Sequence, residues 1–481
     1  MKQTILLITF LLGAVTLRCQ TNAFFSYSSD STESLSSIKE MESGNILVLG
    51  GRTQSGPAFF GGKAVLLKLD QQGKLLDSLF ISIPGKSVFP ENILKLEDHY
   101  VICSMVCHPE NYSEPGILFL TIDTSLNLLN SKICWFDENY ELLFLKAQTG
   151  WGNDLLITGS IVPGTHPFRT FAYRFSPEFD SIIFALIDTN LTQGRIGNGL
   201  RQINEKEYLL FEGLAGTYYY LDSLFNVMNK IRIPHGIGAP FGIKWDTDTS
   251  FYLAGQYNPP GGKHEIGMIR QYHYADTNGT LLNHWSVENS FDVTASRTAM
   301  DYNNKDSIFI GGTSGLAVLS EIPNWCIVLQ TDSMLNIRWE SFVGGDANYV
   351  ADYITTTQDG GCLIGATVYD YQNTNIIQWD FRIFKLDQYG QLVGSKEISN
   401  IQTSEAIVYP NPGNEHLKIR IAAQHPRSVF ALYSIDGKLL FRKNLHGRHA
   451  EINASALKPG TYIYKIFNNK GLNESGKWVK E

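Results

Sequence analysis

Apolar and polar residues alternate in short runs along most of the chain, and the runs recur. One class reads "NILVLGG", "YVICSM", "LLITGS", "YLLFEG", "FYLAGQ", "IFIGGT" and "CLIGAT", each closing on a small residue: Gly50, Ser104, Gly159, Gly213, Gly255, Gly311 and Gly365. The intervals between these positions are 54, 55, 54, 42, 56 and 54 residues. Period-two alternation is the signature of strands, and a small residue at a fixed place lets neighbouring backbones approach. A second class follows each of these runs. "LKLDQQGKLL" at Leu67 returns as "FKLDQYGQLV" at Phe384, with weaker copies at Leu120, Tyr219, His273 and Leu329 and a degenerate one at Tyr173. An Asp (Asp70, Asp123, Asp222, Asp276, Asp332, Asp387) precedes Gly73, Gly279 or Gly390 by three residues, or Asn127, Asn226 or Asn336 by four. In the degenerate copy Ser176 and Asp180 hold the two places. Asp caps a turn by accepting backbone N–H groups, and Gly or Asn is expected to take the left-handed position, so each copy reads as a hairpin.

Upstream of most units lies one more strand-like piece, such as "SLSSIKEME", "ASRTAMDY" or "YVADYITTTQ". Four strands per unit, repeated at a period near fifty, predict an all-β fold, a seven-bladed β-propeller over residues 20–400. Abundant aromatic and glycine residues (27 Phe, 23 Tyr, 8 Trp, 43 Gly) suit that class, and no helical period persists beyond the leader. The leader itself, "MKQTILLITFLLGAVTLRCQ", has Lys2 and an apolar run from Ile5 to Val15, too short to span a bilayer. It reads as a signal peptide, residues 1–19, with cleavage before Gln20.

After a polar linker, residues 401–407, the texture changes. The last segment, 408–481, has its own hairpin grammar: "YPNP", "IDGK" and "KPGTY" are turns between alternating strands, which predicts a small immunoglobulin-like β-sandwich. Tyr409-Pro410-Asn411-Pro412 at its entrance, Asp436-Gly437-Lys438 in the middle, Gly460 with Tyr462, and Lys477-Trp478-Val479-Lys480 at the end stand in a fixed order. In these residues the segment resembles the C-terminal sorting domain (type A) of proteins exported by the type IX secretion system of Bacteroidetes. Thr461, where that family usually has an apolar residue, is a mild departure. The resemblance implies a cargo tag recognised by the outer-membrane translocon, and a product that is secreted or attached to the outer-membrane surface.

Charge divides unevenly. From Ser404 onward the net is +6, which leaves −14 on the rest of a chain whose total is −8. An acidic propeller is a poor partner for nucleic acid. Cys103, Cys107, Cys134, Cys326 and Cys362 are scattered and odd in number, so they read as buried small hydrophobes rather than a disulfide framework. "KHEIGM" lacks the second His of a zinc-protease motif, and neither "GRIGNG" nor "HGIGAPFG" opens a helix. No cofactor or metal is called for. The informative variation is in the loops between second and third strands, which are long and rich in aromatics and His. Arg52, Phe60, His108, Tyr112, His166, Tyr257, His264, Tyr369 and Trp379 are the candidate binding residues there, with a glycan or peptide as ligand. The competing reading is a carbohydrate-active enzyme, a glycoside hydrolase or lyase, whose carboxylates would converge on the same face.

Overall fold

The computed structural model describes residues 23–29, 31–53, 62–110, 113–137, 140–163, 169–187, 197–213, 217–232, 237–259, 262–276, 280–286, 293–315, 321–372, 378–393, 406–409, 413–421, 427–434, 438–446, 449–468 and 473–480. They fall in two compact units, Met1–Ser395 and Lys396–Glu481. The leader and the candidates Phe60, Tyr112 and His166 lie outside the described residues, as do Pro410, Asn411, Pro412, Asp436 and Gly437.

Every described strand of the first unit belongs to an antiparallel meander. The inner strands are Thr32–Glu40, Ser87–Leu96, Tyr140–Thr149, Gly197–Asn204, Ile237–Trp245, Val293–Asp301 and Asn348–Thr356. Three further strands follow each of the first six in hairpin order. The last meander has two of its own, Cys362–Tyr369 and Trp379–Leu386. Its outer edge is completed from both ends of the unit: Phe25–Tyr27 pairs with Phe381–Ile383, and Leu392–Val393 pairs with Lys385–Leu386.

The apolar core is divided into clusters that sit between consecutive meanders. Leu47, Leu49 and Leu66 of the first meet Val88, Ile93 and Ile102 of the second. The sequence of interfaces returns to its start, because Leu35, Ile38 and Val48 of the first meander pack with Leu363, Phe381 and Ile383 of the last. That closure makes the unit a β-propeller. The aligned small residues serve the interfaces. A Cβ on Gly365 would come within 2.1 Å of Leu35 Cδ2, and one on Gly311 within 3.2 Å of Ile354 Cβ. Among the described residues the cysteines are free thiols, and Cys103, Cys107, Cys326 and Cys362 are buried.

Six of the repeated turns are capped as expected, but the left-handed residue is a different one in four of these six. Asp332 Oδ1 accepts from Met334 N (2.8 Å) and Asn336 N (2.9 Å), while Asn336 Nδ2 reaches Oδ2 at 3.0 Å. Asp70 and Asp387 accept from the backbone at the same two offsets. Gly73 and Gly390 have positive φ, 81° and 79°. In the turns with Asn, however, positive φ falls on the residue before it: Leu126 (63°), Phe225 (60°) and Leu335 (62°), with Phe179 (64°) in the degenerate copy. The left-handed place is therefore three residues after the cap in each of these six turns, and Asn is kept for its amide. A left-handed non-glycine residue costs about 1–2 kcal/mol, which burying a Leu or Phe side chain offsets. These four side chains are buried between meanders, Phe179 stacking on Phe119 with centroids 4.7 Å apart. Asp276 is a second correction. It ends the turn rather than opening it: its N–H donates to His273 O (3.0 Å), and His273 Nδ1 accepts the backbone N–H of Ala275.

The second unit is a two-sheet sandwich. Ala406–Tyr409, His416–Ile421 and His449–Asn453 form one sheet; Leu439–His446, Arg427–Ser434, Gly460–Phe467 and Asn473–Lys480, in that order, form the other. Val408, Leu417, Ile419, Phe430, Leu432, Tyr462, Ile466 and Trp478 fill the space between them. The two ends of the segment are clasped: Gly413 N donates to Val479 O (2.9 Å), and the buried Lys480 donates Nζ to Asn414 O (2.6 Å). Tyr462 OH closes the Pro-Gly turn by donating to Lys458 O at 2.6 Å.

Candidate functional site

Each inner strand of the propeller breaks register with its neighbour once or more. A bulge leaves a residue out of the ladder and re-aims its side chain. Five of these strands place polar residues there: Ser36, Glu91, Asn198, Arg297 with Thr298, and Asp352. Two contacts then join inner strands of non-adjacent meanders. Arg297 Nη2 of the sixth lies 2.7 Å from Glu91 Oε2 of the second. Lys146 Nζ of the third donates to Thr298 Oγ1 of the sixth at 3.1 Å.

Burial sets the electrostatics of this cluster. It raises the pKa of Glu91, which Arg297 and Lys146 pull back down. It lowers Lys146 to about 8, with Arg297 adding to the fall and Glu91 opposing it. Asp352 is pushed up to about 6 by burial, against the donors of Thr367 and the charge of Arg297. Thr367 gives Asp352 Oδ2 both its backbone N–H (2.9 Å) and its hydroxyl (2.6 Å).

A cavity of about 450 Å³ opens beside the Glu91–Arg297 pair, between the first two meanders at the long-loop end. Thr32, Ser34, Ser36, Arg52, Thr53, Glu91 and Arg297 supply its polar lining, and Phe89, Met105 and Leu142 its apolar wall. Of the candidates from sequence, Arg52 alone among the described residues lines it. The others are spread over the same end. His108 accepts from Glu110 N (3.3 Å) and so caps its own turn. Tyr257 stacks near His284 (4.9 Å), which lies 2.5 Å from Glu265, the residue after His264. Tyr369 pairs in register with Trp379 and packs near Tyr371 (6.2 Å). Trp379 opens the third strand of the last meander and is half-buried, its indole nitrogen covered.

Glu91, Lys146, Arg297 and Asp352 are not among the loop residues picked out from sequence. Their signal was a charge interrupting an apolar inner-strand run, as in "VFPENILKL" and "YVADYITT". The outer loops drew attention because they vary. The inner strands matter because bulges turn them toward one another.

A second acidic contact lies where the ring closes. Glu33, fully buried, accepts from Ser29 Oγ and lies 3.6 Å from Arg52 Nε. Its other oxygen faces Asp380, and neither Glu33 Oε2 nor Asp380 Oδ1 meets a separate donor. Burial raises Glu33 to about 7; Ser29 and Arg52 oppose the rise and Asp380 adds to it. Asp380 is raised as well by burial, with Ser28, Glu33 and Arg382 opposing and Asp370 adding. Burial favours the neutral, protonated form of Glu33, which can donate to Asp380. A folded-state pKa above the unfolded one means the folded protein binds more protons between pH 4.5 and 7, so stability falls as pH rises through that window. Glu33→Gln, whose amide donates to Asp380 without a proton, should flatten the stability profile between pH 5 and 8. At pH 8 it should melt about 2 °C higher than the parent. Parallel melting curves with equal slopes in parent and variant would show that the pair carries no such proton.

Residues 407–481 match the family described as secretion system C-terminal sorting domain. A domain of this kind implies export to the cell surface or the medium and interaction with the type IX machinery. No curated protein matches the chain. Among solved structures, a protein of unknown function from Bacteroides caccae is 10% identical, with 65% of this chain and 94% of that chain covered and a TM-score of 0.37. The β-propeller domain of Cps50 (Swd1) from Myceliophteria thermophila is 7% identical, with 74% and 98% covered and a TM-score of 0.42. YCF48 from Cyanidioschyzon merolae is 8% identical, with 74% and 97% covered and a TM-score of 0.42.

Proposed function

We propose that the chain is the precursor of an exported, seven-bladed propeller that binds a ligand at its long-loop end. In this reading residues 1–19 are removed as a signal peptide, residues 20–400 form the binding module, 401–407 link it, and 408–481 are read by the translocon. The observation that carries binding is the cavity of about 450 Å³ beside Arg52, within the size range of ligand sites. Its make-up, two guanidinium groups and several hydroxyls opposite an apolar wall, suits a glycan or peptide that presents an acidic or hydroxyl-rich group. Hydrolysis of a glycosidic bond is less well served. Glu91 is held by Arg297, and Glu33 and Asp380 are buried against each other, whereas that reaction needs two carboxyl groups separated by about 5 Å or more with substrate between them.

Glycan and peptide arrays probed with the full mature chain test the reading. A hit should lose about tenfold in affinity in Arg52→Ala and in Phe89→Ala, while Asp332→Ala, which alters only a turn on the opposite face, leaves the affinity as it was. Arrays without a hit, or a hit indifferent to both cavity variants, would move the function elsewhere on the molecule.

A further inference from the structure

A second cavity, of about 150 Å³, is lined in part by Asn92 and Thr298, the chain neighbours of Glu91 and Arg297. Inner strands of the second, third, fourth and sixth meanders line it through Asn92, Lys146, Gln148, Asn198, Arg201 and Thr298. Two of these side chains are basic, and no described lining residue is acidic. Glu91, the carboxylate that acts on Lys146, is itself paired with Arg297. Donors outnumber their protein acceptors. Lys146 spends one N–H on Thr298 Oγ1 and keeps two. Arg201 is stacked on Trp245, 4.4 Å from the ring centroid, and its Nε is buried without an acceptor. The carboxylate facing it among the described residues, Asp248, is exposed and 3.8 Å away. Asn92 uses its carbonyl to accept from Ala147 N (3.0 Å), which leaves its amide protons as donors.

Two cations lining one small chamber are poorly solvated, and burial is the largest influence on each, so each favours an anion that enters the chamber. We propose that this chamber is a binding site for a small oxyanion, a sulfate, a phosphate or a short carboxylate. Lys146 and Arg201 supply the charge, and Asn92, Gln148 and Asn198 the polar surround. The volume is that of about five waters, room for one such anion with little solvent beside it. The site is separate from the long-loop cavity in position and in chemistry, because it has no apolar wall of comparable extent and no carboxylate.

The charge on Lys146 sets the pH dependence. Burial and Arg297 lower its pKa to about 8, with Glu91 the opposing charge, and Arg201 is faced by Asp248 and Tyr302. Only the ammonium form attracts an anion, so affinity is highest below pH 8 and falls as pH rises through it. Sulfate is the probe, since it keeps its charge over this range, and succinate is the carboxylate counterpart. Calorimetric titration of the full mature chain with each salt, against sodium chloride at equal ionic strength, should show one site. Affinity should drop five- to tenfold from pH 7 to pH 9. Lys146→Met should lose at least tenfold and flatten the pH dependence, and a thermal melt checks that it is folded. Arg201→Gln gives an independent loss if Lys146→Met does not fold. Binding of either anion with these losses supports the site. Binding of neither beyond the chloride control, or binding unchanged in both variants, overturns it.

Discussion

A chain lacking Phe24–Tyr27 should lose the closed ring. Tyr27, Ser26 and Phe25 pair with Phe381, Arg382 and Ile383, and no other described strand pairs with that stretch of the last meander's edge. Phe24 is buried in the cluster that joins the first and last meanders, and the Tyr27 ring stacks on Phe381 with centroids 5.1 Å apart and planes 20° from parallel. The segment is also held by the first repeated turn, where a Cβ on Gly73 would stand 2.2 Å from Phe24 O. Removing three partly or fully buried aromatic side chains at about 1.5–3 kcal/mol each costs on the order of 5 kcal/mol, comparable with the whole stability of many domains. It also bares a strand edge flanked by Phe381 and Ile383, a template for pairing with other chains. The shortened protein should melt at least 10 °C lower, bind a hydrophobic dye and aggregate on concentration. A peptide of residues 23–29 supplied in trans should recover part of the loss by adding back the strand. A shortened chain that melts like the parent would mean that the ring is closed by the interface between the first and last inner strands alone.

That strand shows how far the sequence was legible. The repeat was plain because its two devices are local. A small residue at each inter-meander contact and an Asp cap at each turn leave a mark at fixed spacing, and Gly365 against Leu35 or Asp387 over Tyr389 and Gln391 are what those marks denote. The closing strand was not plain, because "FSY" is three residues long and its partner lies more than three hundred residues on. The turns were read correctly as turns and wrongly in detail. A buried Leu335 at positive φ is chosen by the packing between meanders, which no local pattern records, whereas Asn336 advertises a conformation it does not adopt. The site was the least visible part. Loop composition led to Arg52 but not to Glu91, Lys146 or Arg297, whose meeting depends on bulges in strands from different meanders. A charge within an apolar strand could have flagged each of them singly, yet nothing in one strand says which other strand it will face.

Trp478→Ala should unfold the C-terminal sandwich and leave the propeller standing. The indole is fully buried, opposite Tyr462 in the sheet with ring centroids 5.9 Å apart, and packs with Leu417, Phe430 and Ile452 from both sheets. Truncating a buried Trp costs about 3–5 kcal/mol. A core in a domain of fewer than eighty residues rarely supplies more than that, so the change removes essentially all of its stability. The same strand carries Lys480, whose ammonium ties the end of the chain to Asn414, so losing the strand also unclasps the entrance around Gly413. Calorimetry on the full chain should show two transitions in the parent and only the propeller's in Trp478→Ala. In cells the Trp478→Ala protein should reach the periplasm and stay there, because a translocon that reads a folded sandwich has nothing to read. Normal amounts of the Trp478→Ala protein in the medium, with the sandwich transition absent, would show that the machinery recognises a linear segment of the tail rather than its fold.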